Sequence, residues 1–318
     1  MPNPPQPSLV FFGTADFAVP SLTALVEAGY RVLAVVTQPD KPSGRGQTLV
    51  SSPVKKAAER LELPLLQPRR VKSEKFFPKL APLAPDFLVV AAFGQIIPQT
   101  LLDLPRFAPI NVHGSLLPKL RGAAPIQRAI MEGHSEAGVA TMWMEDTIDT
   151  GDILLMRSLP IEPEDTTGTL FPKLATLGAE LLLETLSGMV AGTMTRTPQN
   201  NAEATFATMI RPEDALIRWD ETAFATNCRI RGVLPKPGAT SEIGGKRLKI
   251  HLTTPLEETT DAEPGTVLAL DKTTGGIKVA CGEKTVLLLR EVQPDNGKRM
   301  TALSWANGAR IQAGMRFS

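Results

Sequence analysis

Cysteine is nearly absent from this 318-residue chain: the two present, Cys228 and Cys281, stand in unrelated contexts without CxxC spacing. A disulfide framework and a structural zinc site are therefore not expected, and a reducing cytoplasm suits the composition. No apolar run approaches the roughly 20 residues that span a bilayer, so no membrane partner is expected. Residues 1–7 are Pro-rich and polar, with no charged segment ahead of a hydrophobic one, and do not read as a secretory signal. No GxGxxG follows the first apolar run. NAD and FAD are poor candidates for that reason, because those glycines let backbone approach a pyrophosphate. Strong charge imbalance is missing too, and a net charge of +1 argues against a wholesale nucleic-acid coat.

What is present suits two globular domains. The length exceeds what one hydrophobic core usually serves, and hydrophobic residues reach 42% against 21% charged. Ser8–Gly13 is a short apolar run ending in Gly, as a buried strand does, and a helical pattern follows through Leu22, Leu25 and Val26 to Gly29. Val32–Thr37 predicts a second strand, then a breaker-rich loop over 38–46. Pro53–Leu61 predicts a helix; Phe87–Ala92 and Ile110–His113 predict strands. Strands alternating with helices indicate an α/β domain, a doubly wound, mostly parallel sheet, over residues 1–190. A long helical pattern over 167–188 closes it. The polar stretch Thr193–Thr208 reads as linker, within boundaries of 191–208.

Beyond the linker the pattern changes. After a helical stretch near Glu221–Ile230 come short alternating runs: Leu248–Leu252, Gly265–Leu270, Gly276–Ala280 and Thr285–Leu289. Residues 209–318 are thus expected to form a small antiparallel β-barrel of OB-like type. Charge is shared unequally. Residues 1–190 carry 17 Lys+Arg and 19 Asp+Glu, while 211–318 carry 16 and 13. Arg229, Arg231, Lys236, Lys246, Arg247 and Lys249 face only Glu242 within 229–249, a local excess suited either to a polyanion or to plain solvation.

The densest chemistry lies in Ile110-Asn111-Val112-His113-Gly114-Ser115-Leu116-Leu117-Pro118 and its continuation Lys119-Leu120-Arg121-Gly122-Ala123-Ala124-Pro125. Residues two apart on a strand point the same way, so Asn111 and His113 share a face. Two polar groups at the end of a buried strand cost free energy unless bonded or used. A carboxylate is the natural third member, and Asp149 is a candidate; Asp146 and Asp152 lie three residues to either side, and capping a helix or closing a turn is the alternative for any of the three. No metal is expected there, because no His or second carboxylate motif accompanies the three. Ser115 lacks the G-x-S-x-G elbow of a nucleophile. His134 and His251 read as surface or structural.

The stretch NVHGSLLPKLRGAAPIQRAI with the later DTGDIL closely resembles the folate-dependent formyltransferases. GTADFAVPSL, TQPDKPSGRG, SSPVKKAA and AFGQIIP extend the resemblance over nearly the whole chain. It implies a catalytic trio of Asn111, His113 and Asp149, with 10-formyltetrahydrofolate as co-substrate and no metal. It implies folate against Ser115, Leu116, Leu117 and Pro118 and against Phe93, Gly94, Gln95 and Ile96. It also implies methionyl initiator tRNA as acceptor, met by Lys41 and Arg45 in the loop over 38–49 and by Arg229, Arg231, Lys246, Arg247 and Lys249. A monomer is expected. An amino sugar-nucleotide or another small amine is the alternative acceptor. Gly232–Pro237 departs from the resemblance in lacking the aromatic residues usual there.

Overall fold

The computed structural model describes residues 7–43 and 48–318. Two compact units emerge. The first comprises Met1–Pro125, Ala137–Leu159 and Phe171–Ala207; the second comprises Ile126–Glu136, Pro160–Leu170 and Thr208–Ser318.

In the first unit, β1 (Ser8–Gly13), β2 (Arg31–Val36), the short β3 (Lys41–Ser43), β4 (Thr48–Val50) and β5 (Leu65–Leu66) are followed by β6 (Phe87–Ala91), β7 (Ala108–His113), β8 (Arg121–Gly122), β9 (Glu136–Trp143) and β10 (Ile153–Pro160). The main sheet runs β10-β9-β7-β6-β1-β2-β5. β1, β2, β5, β6 and β7 are parallel, and β9 is antiparallel to β7. All residues of β1 and β6 are buried, as expected of strands covered on both faces. The doubly wound, mostly parallel sheet read from the sequence is therefore present.

Helices α1 (Ala18–Glu27), α2 (Pro53–Arg60), α3 (Phe77–Leu80), α4 (Gln99–Leu102), α5 (Pro125–Met131) and α6 (Thr167–Ala191) intervene. Ser52 starts α2 by accepting from the Lys55 amide, with Pro53 preset for the first turn. A side chain at Gly178 of α6 would stand 3.0 Å from Val112 Cγ1 and 3.3 Å from Val139 Cγ1. That approach covers the Val112 face of β7, so Asn111 and His113 point to the opposite face. Leu170, Leu174, Leu181, Leu182 and Leu186 of α6 are buried. This helix is long and apolar enough to cross a membrane by length and composition, contrary to the sequence expectation that no segment comes near that threshold. The reason is its sparse charge: only Lys173, Glu180 and Glu184 interrupt it.

Residues 193–208 differ from the expected linker. Within them β11 (Phe206–Ala207) pairs in parallel with β8, and the amides of Ala123 and Arg121 donate to Ala207 O and Thr205 O. Most of the segment is exposed, yet its hydrogen bonds tie it to the first unit at Arg121, Ala123 and Ile153.

The second unit holds α7 (Ala223–Val233) and an antiparallel sheet of β12 (Ala239–Ile243), β13 (Lys246–Thr259), β14 (Val267–Asp271), β15 (Gly276–Ala280) and β16 (Thr285–Pro294), ordered β12-β13-β16-β15-β14. β17 (Met300–Thr301) pairs with β16 and leads to α8 (Ala302–Ala309). Residues 316–318 form bridges to Ile243 and Thr266, and their amides bond Gly265 O and Glu242 O. Trp219, Ile250, Leu287, Trp305 and Phe317 lie in the core.

Both cysteines are buried in this unit. Burial pushes the Cys281 thiol up to about 12 and raises Cys228 as well. Neither is a nucleophile at neutral pH, because the reactive thiolate is scarce. Two outcomes follow. A thiol reagent at about pH 8 should label the folded chain far more slowly than the denaturant-unfolded chain. Stability should also fall as pH rises above about 8.5, where unfolded thiols lose protons that the folded ones retain; a urea-unfolding series from pH 7 to 10 reads this, and replacing both cysteines by Ala should flatten it.

Candidate active site

The open-sheet rule directs attention to the carboxyl ends of β6 and β7. These strands are parallel neighbours with Ala91 opposite Val112, so the segments after Ala91 and after Val112 emerge side by side. At the first of them, Phe93 O accepts from Thr14 Oγ1 at 2.9 Å and from Gln38 Nε2 at 2.8 Å. Gly94 follows with φ of +78°. A side chain there would be strained in backbone and only 2.7 Å from Gln38 Nε2, which explains the glycine.

At the second, His113 is 6% exposed. Its Nδ1 lies 3.6 Å from Asp149 Oδ1 and its Nε2 lies 3.2 Å from Leu120 O. Each ring nitrogen thus faces an acceptor, and a proton on either has somewhere to point. The other Asp149 oxygen, Oδ2, accepts from the Gly122 amide at 2.8 Å. Gly122 has φ of +120°, and a side chain on it would stand 2.8 Å from Ala207 O. The turn that delivers this amide therefore requires glycine.

Three aspartates competed for the role of carboxylate, and the structure separates them. Asp149 alone reaches His113. Asp152 instead pairs with Arg196 at 2.9 Å, and the Arg196 guanidinium lies 4.1 Å over the Trp143 ring. Asp146 is exposed. Asp149 adopts φ of +53°, uncommon outside glycine, so the loop is held against a local preference for extended or helical backbone. Two residues on, a side chain at Gly151 would lie 1.9 Å from Trp143 O, so this loop sits directly on the end of β9.

Asn111 is half-buried on the same face of β7, and its amide has no hydrogen-bond partner among the described residues. This accessible amide beside the His113–Asp149 pair retains its full capacity to donate and accept hydrogen bonds. Ala140 and Met142 lie opposite His113 and Asn111 on β9 and cluster with Leu117 and Ile153, which gives the site an apolar flank.

The residues expected to meet folate divide by exposure. Gly94 and Ile96 are exposed; Gln95, Leu116 and Pro118 are half-buried. Phe93 and Leu117 are 2% exposed and packed into hydrophobic clusters, so their side chains are committed to the fold and only their backbone is offered. The Ser115 hydroxyl donates to Lys119 O at 2.7 Å, a local turn bond. The described residues contain no cluster suited to a metal ion.

Of the expected acceptor contacts, Lys41 is exposed on β3, and Arg45 lies outside the described residues. Asp40 beside Lys41 accepts from Lys55 Nζ at 2.7 Å and Gln67 Nε2 at 2.9 Å; those bonds hold its carboxyl below the usual carboxylate range. This cluster anchors the base of the loop over 38–49.

In the second unit Lys246, Arg247 and Lys249 are exposed on β13. Arg247 and Lys249 alternate with buried Leu248 and Ile250, so both project outward. Arg229 and Arg231 are used otherwise. Arg229 forms a two-pronged pair with Glu221. Arg231 donates to Asp165 O at 2.8 Å and to Cys228 Sγ at 3.4 Å. Helical spacing on α7 turned these two inward, which a count of charges cannot register. His134 and His251 each face a polar neighbour, Glu132 at 3.3 Å and Gln293 at 3.0 Å.

Sequence reasoning missed Arg121 and Gln199. Arg121 is 4% exposed, and its guanidinium donates to Gln199 Oε1 through Nε and Nη2 at 3.1 and 2.8 Å and to Asn201 Oδ1 at 2.8 Å. Gln199 Nε2 donates onward to Asp149 O at 2.9 Å and Gly151 O at 2.7 Å. The available signal was the run Gln199-Asn200-Asn201, whose amides are poor candidates for idle surface next to Pro198.

Comparison with known proteins gives a consistent picture. Residues 8–186 match the formyl transferase family, and residues 209–310 match the formyl transferase C-terminal domain. The chain is 48% identical over 305 residues to a methionyl-tRNA formyltransferase of Desulfotalea psychrophila, covering 96% of this chain and 94% of that one. It is 44% identical over 306 residues to one of Bacillus subtilis, 96% of each. Among solved structures, HypX from Aquifex aeolicus in complex with tetrahydrofolic acid aligns with a TM-score of 0.62 at 17% identity, over 98% of this chain and 48% of that one. An N-formyltransferase from Helicobacter canadensis in complex with folinic acid and dTDP-3-aminofucose aligns at 0.63 and 18%, over 88% and 98%. Those two likenesses speak to fold alone.

Proposed function

The chain belongs to the formyl transferase family, and on that premise we propose that it transfers a formyl group from 10-formyltetrahydrofolate to the amino group of methionyl initiator tRNA, in the cytoplasm. The observation that carries the chemistry is the approach of Asp149 to His113 at 3.6 Å on the strand that also presents Asn111. The choice of acceptor rests on the near-full-length likeness to relatives named for it and on the two family segments joined in one chain.

The reaction is acyl transfer. The neutral methionyl amine attacks the formyl carbon, a tetrahedral oxyanion forms, and the folate nitrogen departs. One carbon–nitrogen bond forms as another breaks, and the proton lost by the amine ends on the folate nitrogen. Asn111, with its amide unbonded, donates a hydrogen bond to the oxyanion, a contribution typically of about 3–4 kcal/mol to the barrier. His113 relays the proton, and Asp149 orients the ring and supports its charged form during the relay. Folate lies along Gly94–Ile96 and Ser115–Pro118, where exposed Ile96 and half-buried Leu116 and Pro118 supply apolar surface beside backbone groups, a combination suited to a flat heteroaromatic ring.

In this reading residues 1–190 are the catalytic domain, 191–208 its connection and 209–318 a closed, OB-like barrel that holds tRNA, with the protein acting as a monomer. Closure is supported by the bonds of residues 316–318 to edge strand β12 at Glu242 and Ile243 and to Gly265 and Thr266, just ahead of edge strand β14. Tenure on tRNA falls to Lys246, Arg247 and Lys249, helped by Lys41 and Arg45; the engaged Arg229 and Arg231 contribute through the fold of α7.

A formylation assay with charged initiator tRNA, uncharged tRNA and a small amino sugar, each with 10-formyltetrahydrofolate, tests the proposal; formylation of the sugar alone would overturn it. His113→Ala is expected to lower kcat by about 10² or more and Asn111→Ala by about 10²–10³. Replacing Lys246, Arg247 and Lys249 together by Ala is expected to raise KM for tRNA and to flatten its dependence on salt by roughly one charge per lost phosphate contact, with folate KM unchanged. An unaltered salt slope would remove these three from the tRNA surface.

A further inference from the structure

Two features near the proposed site have no role in the chemistry just described: a buried arginine without a carboxylate, and a glutamine that grips the main-chain carbonyls of the aspartate and of the residue two further on. Arg121 forms no ion pair among the described residues. A buried guanidinium commonly takes a carboxylate, which matches its fork. Here the acceptors are neutral amide oxygens, two of its bonds falling on Gln199 Oε1 and one on Asn201 Oδ1. With a cation on its oxygen, the Gln199 amide is polarised, and its NH2 becomes a stronger donor.

That NH2 spans the loop, one bond to Asp149 O and one to Gly151 O. Rotating the amide by half a turn would set NH2 against guanidinium N–H groups and oxygen against carbonyls, so its orientation is fixed by the network. The loop needs such a hold. Asp149 has a positive φ, Gly151 is pressed onto Trp143 O, and the 3.6 Å approach to His113 is long enough that a small shift loses it. Gln199 binds both carbonyls that flank this turn, while the Gly122 amide, next to Arg121, binds the carboxylate itself. The aspartate is thus held at its main chain by Gln199 and at its side chain by Gly122.

We infer that Gln199, itself held by the buried Arg121, is a positioning residue for Asp149 and sets the geometry of the His113–Asp149 pair. The inference rests on the proposed reading of that pair as the proton-relay machinery. Gln199 touches neither substrate nor reacting atoms; it acts through the turn.

Gln199→Glu is the informative variant. It keeps an acceptor for Arg121, which also holds the new carboxylate ionised, but it turns both donors to Asp149 O and Gly151 O into acceptors. Gln199→Ala is its companion, removing both functions. The assay is formyl transfer to charged initiator tRNA by the full chain, with thermal unfolding of every variant. Gln199→Glu is expected to retain the unfolding midpoint to within a few degrees, to lower kcat by about 10- to 100-fold, and to leave both KM values within about twofold, since misplacement of a catalytic group by about 1 Å has effects of this order. In an Asp149→Asn background the same change is expected to cost less than about twofold more, because a residue that acts through Asp149 has nothing left to position. Full turnover in Gln199→Glu and Gln199→Ala, or losses that multiply in the Asp149→Asn background, would overturn the inference while leaving the catalytic reading intact. Full turnover in His113→Ala and Asp149→Asn would remove that reading, and the inference with it.

Discussion

The first unit is organised around one divided carboxylate. Asp149 gives one oxygen to the Gly122 amide and turns the other toward His113. Each contact sets a condition elsewhere. Gly122 must adopt a backbone closed to other residues because Ala207 O lies against it. The strand carrying His113 must present its polar face away from α6, which Gly178 arranges by letting the helix rest on Val112 and Val139. Gly151 must lack a side chain so that the turn can lie on Trp143. Sheet, helix and three separate glycines thus converge on the placement of a single side chain whose own backbone preference is overruled.

Much of this was legible in the sequence for reasons of period. A run such as Phe87–Ala91, buried at every position, reads as a strand because nothing in it tolerates water, and the two-residue repeat alone puts Asn111 and His113 on one face. Resemblance then chose Asp149 among three aspartates; of the three it is the one that lies beside His113, while Asp152 is taken by Arg196. What was not legible is what depends on contacts distant in sequence. Gln199 meets Asp149 across 50 residues and Arg121 across 78. No local pattern encodes either meeting, so a segment stitched into the first unit looked like a polar tether.

Charge clusters show the same limit. Arg229 and Arg231 look equivalent to Arg247 and Lys249 in a list of basic residues. On a strand, alternation with Leu248 and Ile250 sends the latter pair outward. On α7 the former pair find Glu221 and the Asp165 carbonyl and stay within the fold. Net charge over a window measures supply; the element that carries each residue decides what reaches solvent. Long α6 makes the parallel point for hydropathy, since its leucines are buried at positions that composition alone would offer to lipid.

The neutral acceptors around Arg121 bear on where the first unit of such a chain can be cut. Severed after α6, the remaining polypeptide would keep every member of the Asn111–His113–Asp149 set yet strand a fully charged guanidinium indoors, with Gln199 and Asn201 gone and Thr205 no longer capping the Leu120 amide. An orphaned buried charge of that kind commonly costs about 3–5 kcal/mol, a large share of a domain's whole stability. The smallest self-sufficient piece therefore ends no earlier than Ala207, sixteen residues past the end of α6 at Ala191.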